Sequence, residues 1–253
     1  MSSQSEPDMT QDTQAPPRGS ALPPASPSPG IRWFPPVTVR GRRYERGTAR
    51  TPWLQPGDDM GAAMATALAP ILQPGDVALV SEKALVISAG LGVPVDRIAV
   101  SPLARWLAGR VRPTEGSKGL SIPEKMEYVL RESGRVRLLA AVAVAGLTRP
   151  LGLRGGFYLV AGRVARAMDG LRPPFEHLLL ASLSPRVAKA MALRLSARLG
   201  NPVAVIDMND RGGSIRAVSH PVISKRRLRR ALADNPLGQR DTRTPIGLIR
   251  PVR

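Results

Sequence analysis

The stretch Asn201–Arg216, NPVAVIDMNDRGGSIR, joins a buried-strand pattern directly to acidic, amide and glycine residues. The apolar run Val203–Ile206 is typical of a strand that is covered on both faces. Four polar residues follow where this strand ends: Asp207, Asn209, Asp210 and Arg211. Because ligands of α/β proteins bind beyond strand ends, we interpret the cluster as a candidate ligand or metal site. A polar turn would use the same residue types, so that alternative stays open.

A helix is predicted immediately before this strand. Ser184 and Pro185 are residue types that begin a helix, as N-cap and first-turn proline. Gly200 is the type that ends one in the left-handed conformation. The predicted local order is therefore helix, turn, strand and acidic loop.

Composition narrows the class of protein. The chain has 253 residues, 43% of them hydrophobic, which is enough for one sizeable core or two small ones. It has no cysteine, which excludes disulfides, thiolate nucleophiles and cysteine metal sites. The longest apolar run, Leu138–Leu147, is shorter than the roughly 20 residues of a membrane span, and no secretory signal is evident. We therefore expect a soluble, cytoplasmic protein with no membrane partner.

The formal net charge of +18 raises the question of a nucleic-acid partner. Arginines are scattered along the chain, and the only dense basic run is Lys225–Arg230. Aromatic residues, which would stack on bases, make up 4% of the chain. Nucleic acid is therefore not the partner we expect, although the Lys225–Arg230 helix keeps it as a third hypothesis.

The chain is predicted to have a disordered N-terminal tail, residues 1–30, and one domain, residues 31–253. The tail is mainly Ser, Pro, Gln and Ala and offers almost nothing to bury. In the domain, apolar runs predict a strand at 31–39 and a second strand after the turn at 41–44. Further strands are predicted at 77–80, 136–145, 157–161, 203–206 and 244–250. Capping and turn residues predict helices at 60–72, 102–107, 124–130 after a capping box at Ser121, 185–199 and 225–230.

Lys83 lies between two apolar runs, Val77–Val80 and Ala84–Ile87. It is either a solvated edge residue or an ammonium group directed at phosphate or carboxylate where two strand segments meet. His177 and His220 are the only histidines, which excludes a histidine-rich metal site. A metal would therefore be held by oxygen ligands, as magnesium, manganese and calcium are.

Five segments, in this order, resemble one protein family. They are PGDDMGAAMATAL (Pro56–Leu68), GDVALVSEK (Gly75–Lys83), VSPLARWLA (Val100–Ala108), GFYLVAG (Gly156–Gly162) and VAVIDMNDRGG (Val203–Gly213). Over most of residues 50–220 the chain resembles the coenzyme F420-0:L-glutamate ligase (gamma-glutamyl ligase) family. The resemblance implies an α/β (α+β) fold with mixed β-sheets and flanking helices, assembled as a homodimer. It also implies glutamate addition to a phosphorylated deazaflavin, with GTP and magnesium or manganese.

Three positions match functional residues of that family. Lys83 matches its first lysine after the GDV strand, Asp207 matches the acid that helps to hold metal, and Arg211 stands at the family's Gly-Arg. We therefore predict metal binding by Asp207, Asn209 and Asp210. Lys83 and Arg211 are predicted to bind nucleotide or phosphate.

Other polar positions of the family are absent from this chain. The family's second lysine and glutamate after Lys83 are missing from the run Val86–Gly90, and its Asp and Asn after Gly162 are replaced by Arg163–Arg166. A GTP-dependent ligase needs such groups to hold metal and phosphate. The chain is therefore predicted to be a divergent ligase-like member, with a non-catalytic binding or scaffold protein as the alternative.

Overall fold

A computed structural model describes residues 30–111, 119–148, 150, 156–162, 165, 169–170, 175, 177–209, 212–238 and 242–252. The described residues form nine strands: β1 (Ile31–Val39), β2 (Arg42–Ala49), β3 (Val77–Ser81), β4 (Val93–Pro94), β5 (Asp169–Gly170), β6 (Leu178–Leu180), β7 (Val203–Asn209), β8 (Gly212–Val218) and β9 (Ile246–Pro251). They also form eight α-helices: α1 (Met60–Leu68), α2 (Glu82–Ser88), α3 (Pro102–Ala108), α4 (Pro123–Ser133), α5 (Arg135–Thr148), α6 (Gly156–Ala161), α7 (Pro185–Leu199) and α8 (Lys225–Ala231). None of these helices is both long enough and apolar enough to cross a membrane.

The larger of two sheets has six strands in the order β1-β2-β9-β3-β7-β8. β3 and β7 pair in parallel, with Ser81 opposite Ile206. The other neighbouring pairs of this sheet are antiparallel. The mixed sheet with flanking helices confirms the predicted α/β class.

Apolar side chains cover both faces of this sheet. On one face α1, α2 and α7 pack against alternate residues of β3, β7 and β9: Ala78, Val80, Val203, Val205, Ile246 and Leu248. On the other face α8 packs against the residues between them: Val77, Leu79, Ala204, Ile206 and Ile249. Burial on both faces confirms the prediction for β7, and it accounts for the continuous apolar run of β3 as well.

The second sheet has three short strands in the order β4-β6-β5 and lies beside helices α3 to α6. Leu178 and Leu180 of β6 join the core formed with α1, α2 and α7. Leu179, between them, joins a third apolar core built by α3 to α6. β6 therefore contributes both to the core beside the larger sheet and to the core of this helical part.

Two predicted inner strands are wrong, because residues 136–145 and 157–161 lie in helices α5 and α6. Both runs consist largely of small and branched apolar residues, which suit a buried strand and a buried helix equally. Length and burial separate the two possibilities. α5 continues for 14 residues, and its buried residues, Leu138 and Ala141, are three positions apart, as expected for one face of a helix.

The apolar run after Lys83 is also a helix and not a second strand segment. β3 ends at Ser81, and α2 begins at Glu82, so Lys83 lies in the first turn of a helix. Leu85 and Val86 of this helix enter the core formed with α1 and α7. Four consecutive apolar residues have no periodicity that distinguishes a strand from a short helix, which explains the wrong prediction.

Most helix ends follow the predicted caps. The Ser184 side chain accepts a hydrogen bond from the Val187 N–H at the start of α7, and Gly200 ends that helix with φ of 74°. The predicted capping box at Ser121 is wrong, because the N-cap of α4 is Ile122, whose apolar side chain accepts no hydrogen bond. Pro123 occupies the first helical position, which the fixed φ angle of proline favours. A proline also disfavours helical conformation in the residue before it, so the helix begins at Pro123.

Candidate functional site

The carboxyl ends of β3 and β7 meet at one end of the larger sheet, which we call the β3/β7 end. The chain continues from β3 into Lys83 of α2, and β7 itself ends with Asp207 and Asn209. Since Ser81 pairs with Ile206, the backbones of Lys83 and Asp207 lie at the same end of the sheet. Three of the predicted site residues are therefore brought to one region.

Two other predicted site residues, Asp210 and Arg211, lie outside the described residues. Lys83 is partly exposed and Asn209 is exposed, while the Asp207 side chain retains 29% of its accessible surface. The metal and phosphate roles of these five residues stay predictions.

Glu82, the first residue of α2, is a buried acid at this end, with only 3% of its surface exposed. Its Oε1 accepts a hydrogen bond of 2.7 Å from the Leu183 N–H. Its Oε2 accepts one of 2.8 Å from Nε of Arg216. Burial raises the pKa of the Glu82 carboxyl above its usual value, and the positive charge of Arg216 opposes part of that shift.

Arg216 of β8 connects Glu82 with Asp207. Its Nη2 donates hydrogen bonds of 2.6 Å to Oδ2 of Asp207 and 2.8 Å to Oγ of Ser182. The Arg216 side chain is 16% exposed, so these charge-assisted bonds are largely shielded from water. Lys225 adds a further positive charge, because its Nζ donates to the backbone oxygen of Arg216 at 2.9 Å.

A β-bulge directs Arg216 toward the two acids. Ile206 pairs with Ile215 and Val205 pairs with Ala217. Arg216 is therefore the extra residue of the bulge and has no pairing partner in β7. Ala217 belongs to the core on the α1, α2 and α7 face, and Ile215 belongs to the core on the α8 face. The extra residue therefore lets Arg216 reach Glu82 on the first of these faces without displacing Ala217 from it.

The described residues at the β3/β7 end do not fit a divalent metal ion. No group of three or more His, Cys, Asp or Glu side chains that could hold a metal occurs in the described part of the chain. Both oxygens of Glu82 accept hydrogen bonds, and Oδ2 of Asp207 is paired with Arg216. Magnesium, manganese and calcium need several free oxygen ligands, so an ion between these acids would first have to displace Arg216.

Glu82, Arg216 and Ser182 were not predicted as site residues. One signal was available for Glu82, because this charged residue follows the apolar run Val77–Val80 after only one residue, Ser81. Arg216 lies 134 positions after Glu82, and the bulge that directs it depends on the pairing of β7 with β8. No local pattern in the sequence could have indicated that contact.

The fold and this site define a mixed α/β protein with a buried polar cluster where two parallel strands end. The chain belongs to the F420-0:gamma-glutamyl ligase family, whose model matches residues 48–215, as the five segments predicted. The match includes Lys83, Glu82 and Asp207, and it ends one residue before Arg216. No curated protein matches the chain.

Proposed function

We propose that this chain is a gamma-glutamyl ligase-like protein that binds a phosphorylated small molecule at the β3/β7 end. The observation that carries this proposal is the parallel pairing of β3 with β7, because it joins the ends of two segments that resemble the family. Ligands of α/β proteins bind beyond the carboxyl ends of such strands. Membership of the family supports the ligase-like class.

The proposed chemistry is amide formation, which requires a carboxylate oxygen to become a leaving group. The γ-phosphoryl group of GTP is transferred to that oxygen, and GDP leaves. The amine of glutamate then displaces phosphate, forms the amide bond and loses its proton to solvent. Negative charge on the transferred group is stabilised by cations, and Lys83 and Arg211 are the residues that we propose for this role.

The acceptor in this proposal is a phosphorylated deazaflavin or a related small molecule, as the family resemblance implies. Residues 31–253 form the acting domain, as a cytoplasmic homodimer. The predicted magnesium or manganese is not assigned to a step, since the described acids do not fit such an ion.

A second candidate is a non-catalytic binding protein that retains the ligase fold. One specific observation favours it: Arg216 pairs with both Glu82 and Asp207, so the described acids are engaged within the protein. The lysine and glutamate that the family carries after Lys83 are also absent.

Nucleotide binding is tested by thermal unfolding with GTP at ~150 mM salt, which limits non-specific attraction to a basic protein. A ligand that binds only the folded state adds about 2.7 kcal/mol at ~100 times its Kd, so Tm should rise. Lys83→Gln should reduce the rise. Arg43→Gln is the control, because Arg43 lies near the carboxyl end of β9, beside the amino end of β3 and away from the site.

Catalysis is tested by mass spectrometry for addition of glutamate to a deazaflavin acceptor in the presence of GTP, with and without manganese. Addition that requires GTP supports the ligase. GTP binding without glutamate addition supports the non-catalytic binding protein. If no nucleotide raises Tm and no glutamate is added, family membership describes the fold alone.

A further inference from the structure

The buried Glu82 and the partly buried Asp207 at the β3/β7 end share a cation that belongs to the protein. The guanidinium of Arg216 donates to Oε2 of Glu82 at 2.8 Å and to Oδ2 of Asp207 at 2.6 Å. It therefore lies between the two carboxylates. The family resemblance implies a divalent metal ion at one of them, Asp207.

The surroundings hold Arg216 in this position. Ser182 accepts a bond from the Nη2 that also contacts Asp207, and the Leu183 N–H occupies the remaining oxygen of Glu82. The Glu82 and Arg216 side chains are 4% and 16% exposed. Removing one partner from such a buried pair leaves an uncompensated charge, which opposes exchange of Arg216 for a metal ion.

The backbone also favours this arrangement over a chance side-chain contact. Arg216 is the extra residue of the β8 bulge, between Ile215 and Ala217, which both pair with β7. Bulges of this kind redirect one side chain while the flanking residues keep their places. The strand itself therefore directs Arg216 to the acids.

The protein supplies positive charge at this site without a metal. Glu82 and Asp207 carry two negative charges when ionised, and Arg216 carries one positive charge. Lys225 is exposed and lies nearby, with its Nζ 2.9 Å from the backbone oxygen of Arg216.

We propose that Arg216 is the resident cation of this site and takes the place of a divalent metal ion between Glu82 and Asp207. The anionic ligand is then attracted by cations of the protein, and these two acids hold no metal. This inference rests on the proposed function only for the location of the ligand site.

The first test is a titration of the full chain with Mn²⁺ alone, followed by electron paramagnetic resonance of the free ion and by Tm. Wild type should show no saturable binding that depends on Asp207. Saturable binding by wild type that Asp207→Asn abolishes would overturn the proposal. This comparison does not require any Arg216 variant to fold.

The second test removes the resident cation with Arg216→Gln. The two acids, freed from Arg216, should bind Mn²⁺, so saturating Mn²⁺ should raise Tm of this variant by roughly 5 °C or more while leaving wild type unchanged. A folded Arg216→Gln protein with no response to Mn²⁺ would also overturn the proposal.

Arg250→Gln is the matched control for this variant. Arg250 forms a similar pair with the buried Asp76, with bonds of 3.0 and 2.8 Å, near the amino end of β3. Its removal should lower stability without creating a Mn²⁺ response, because the acids at the β3/β7 end keep their cation. Neither test uses nucleotide or acceptor. The results can therefore be interpreted even if the chain has no ligase activity.

Discussion

Single residues determine how closely β8 approaches β7 beside the candidate site. A Cβ atom added to Gly213 would lie 2.2 Å from the backbone oxygen of Asp207 and 2.7 Å from Cα of Met208. Both neighbours are backbone atoms, so the hairpin itself would have to move. The small size of Gly213 therefore helps to hold Asp207 in place.

We expect Gly213→Ala to lower the free energy of unfolding by about 1–3 kcal/mol, the usual cost of inserting a methyl group where no space exists. Urea denaturation followed by circular dichroism measures this. Gly146→Ala in α5 is the control, since a Cβ there meets nothing within 4 Å and alanine favours a helix. Equal stability of Gly213→Ala and wild type would mean that the hairpin is more open than described.

An arginine forms ion pairs near each end of β3, but the two arrangements differ. Near the amino end, Arg250 donates to both oxygens of one buried acid, Asp76. At the β3/β7 end, Arg216 is shared by Glu82 and Asp207. In the first arrangement the arginine donates hydrogen bonds to a single carboxylate, whereas in the second a single arginine serves two acids.

At the scale of elements, α5 is the largest difference from the predicted structure. It is an apolar helix with much of its surface exposed, including Val136 at 83% and Leu147 at 73%. Its buried contacts come from Leu138 and Ala141, which enter the core built with α3, α4 and α6. One narrow face therefore attaches the helix.

This narrow face predicts unequal effects for two adjacent leucines. Leu138 is 0% exposed and Leu139 is 44% exposed, so Leu138→Ala should lower the free energy of unfolding by about 2–5 kcal/mol. Leu139→Ala, with the same atoms removed, should cost less than about 1 kcal/mol. Chemical denaturation of the two variants decides the point, and losses of similar size would contradict the orientation of α5.

At the scale of the whole molecule, the strong positive charge lies largely on exposed arginines. Several acids of the described residues are engaged with arginine: Asp59, Asp76, Glu82, Glu127, Asp207 and Asp234. Arginines exceed these partners, and many lie exposed, such as Arg226, Arg229 and Arg230 of α8. The excess charge is therefore presented at the surface, where it attracts anions in general and is weakened by salt.

The predicted domain boundary makes a separate claim about the whole chain. The composition of residues 1–30 offers little to offset an ordering cost of roughly 1–2 kcal/mol per residue. We therefore expect their deletion to leave Tm nearly unchanged in a thermal scan. Deletion of residues 1–39 is the control and should lower Tm, because it removes β1, which pairs with β2 from Ile31 to Val39. A fall of many degrees after the shorter deletion would show that the boundary is wrong.

The sequence by itself determined the features that depend on local chemistry. Three features could be predicted: strands β3 and β7, the caps of α7 and the order of the family segments. Each depends on residues that are close in sequence, through burial on both faces of a strand, hydrogen bonding at a helix end and motif order. Tertiary structure alone decided that 135–148 is a helix, since its apolar residues suit either structure until a packing partner selects one face. It also decided that Arg216 lies between Glu82 and Asp207. That contact depends on strand order and on one unpaired residue in β8, and both arise only when the strands pair.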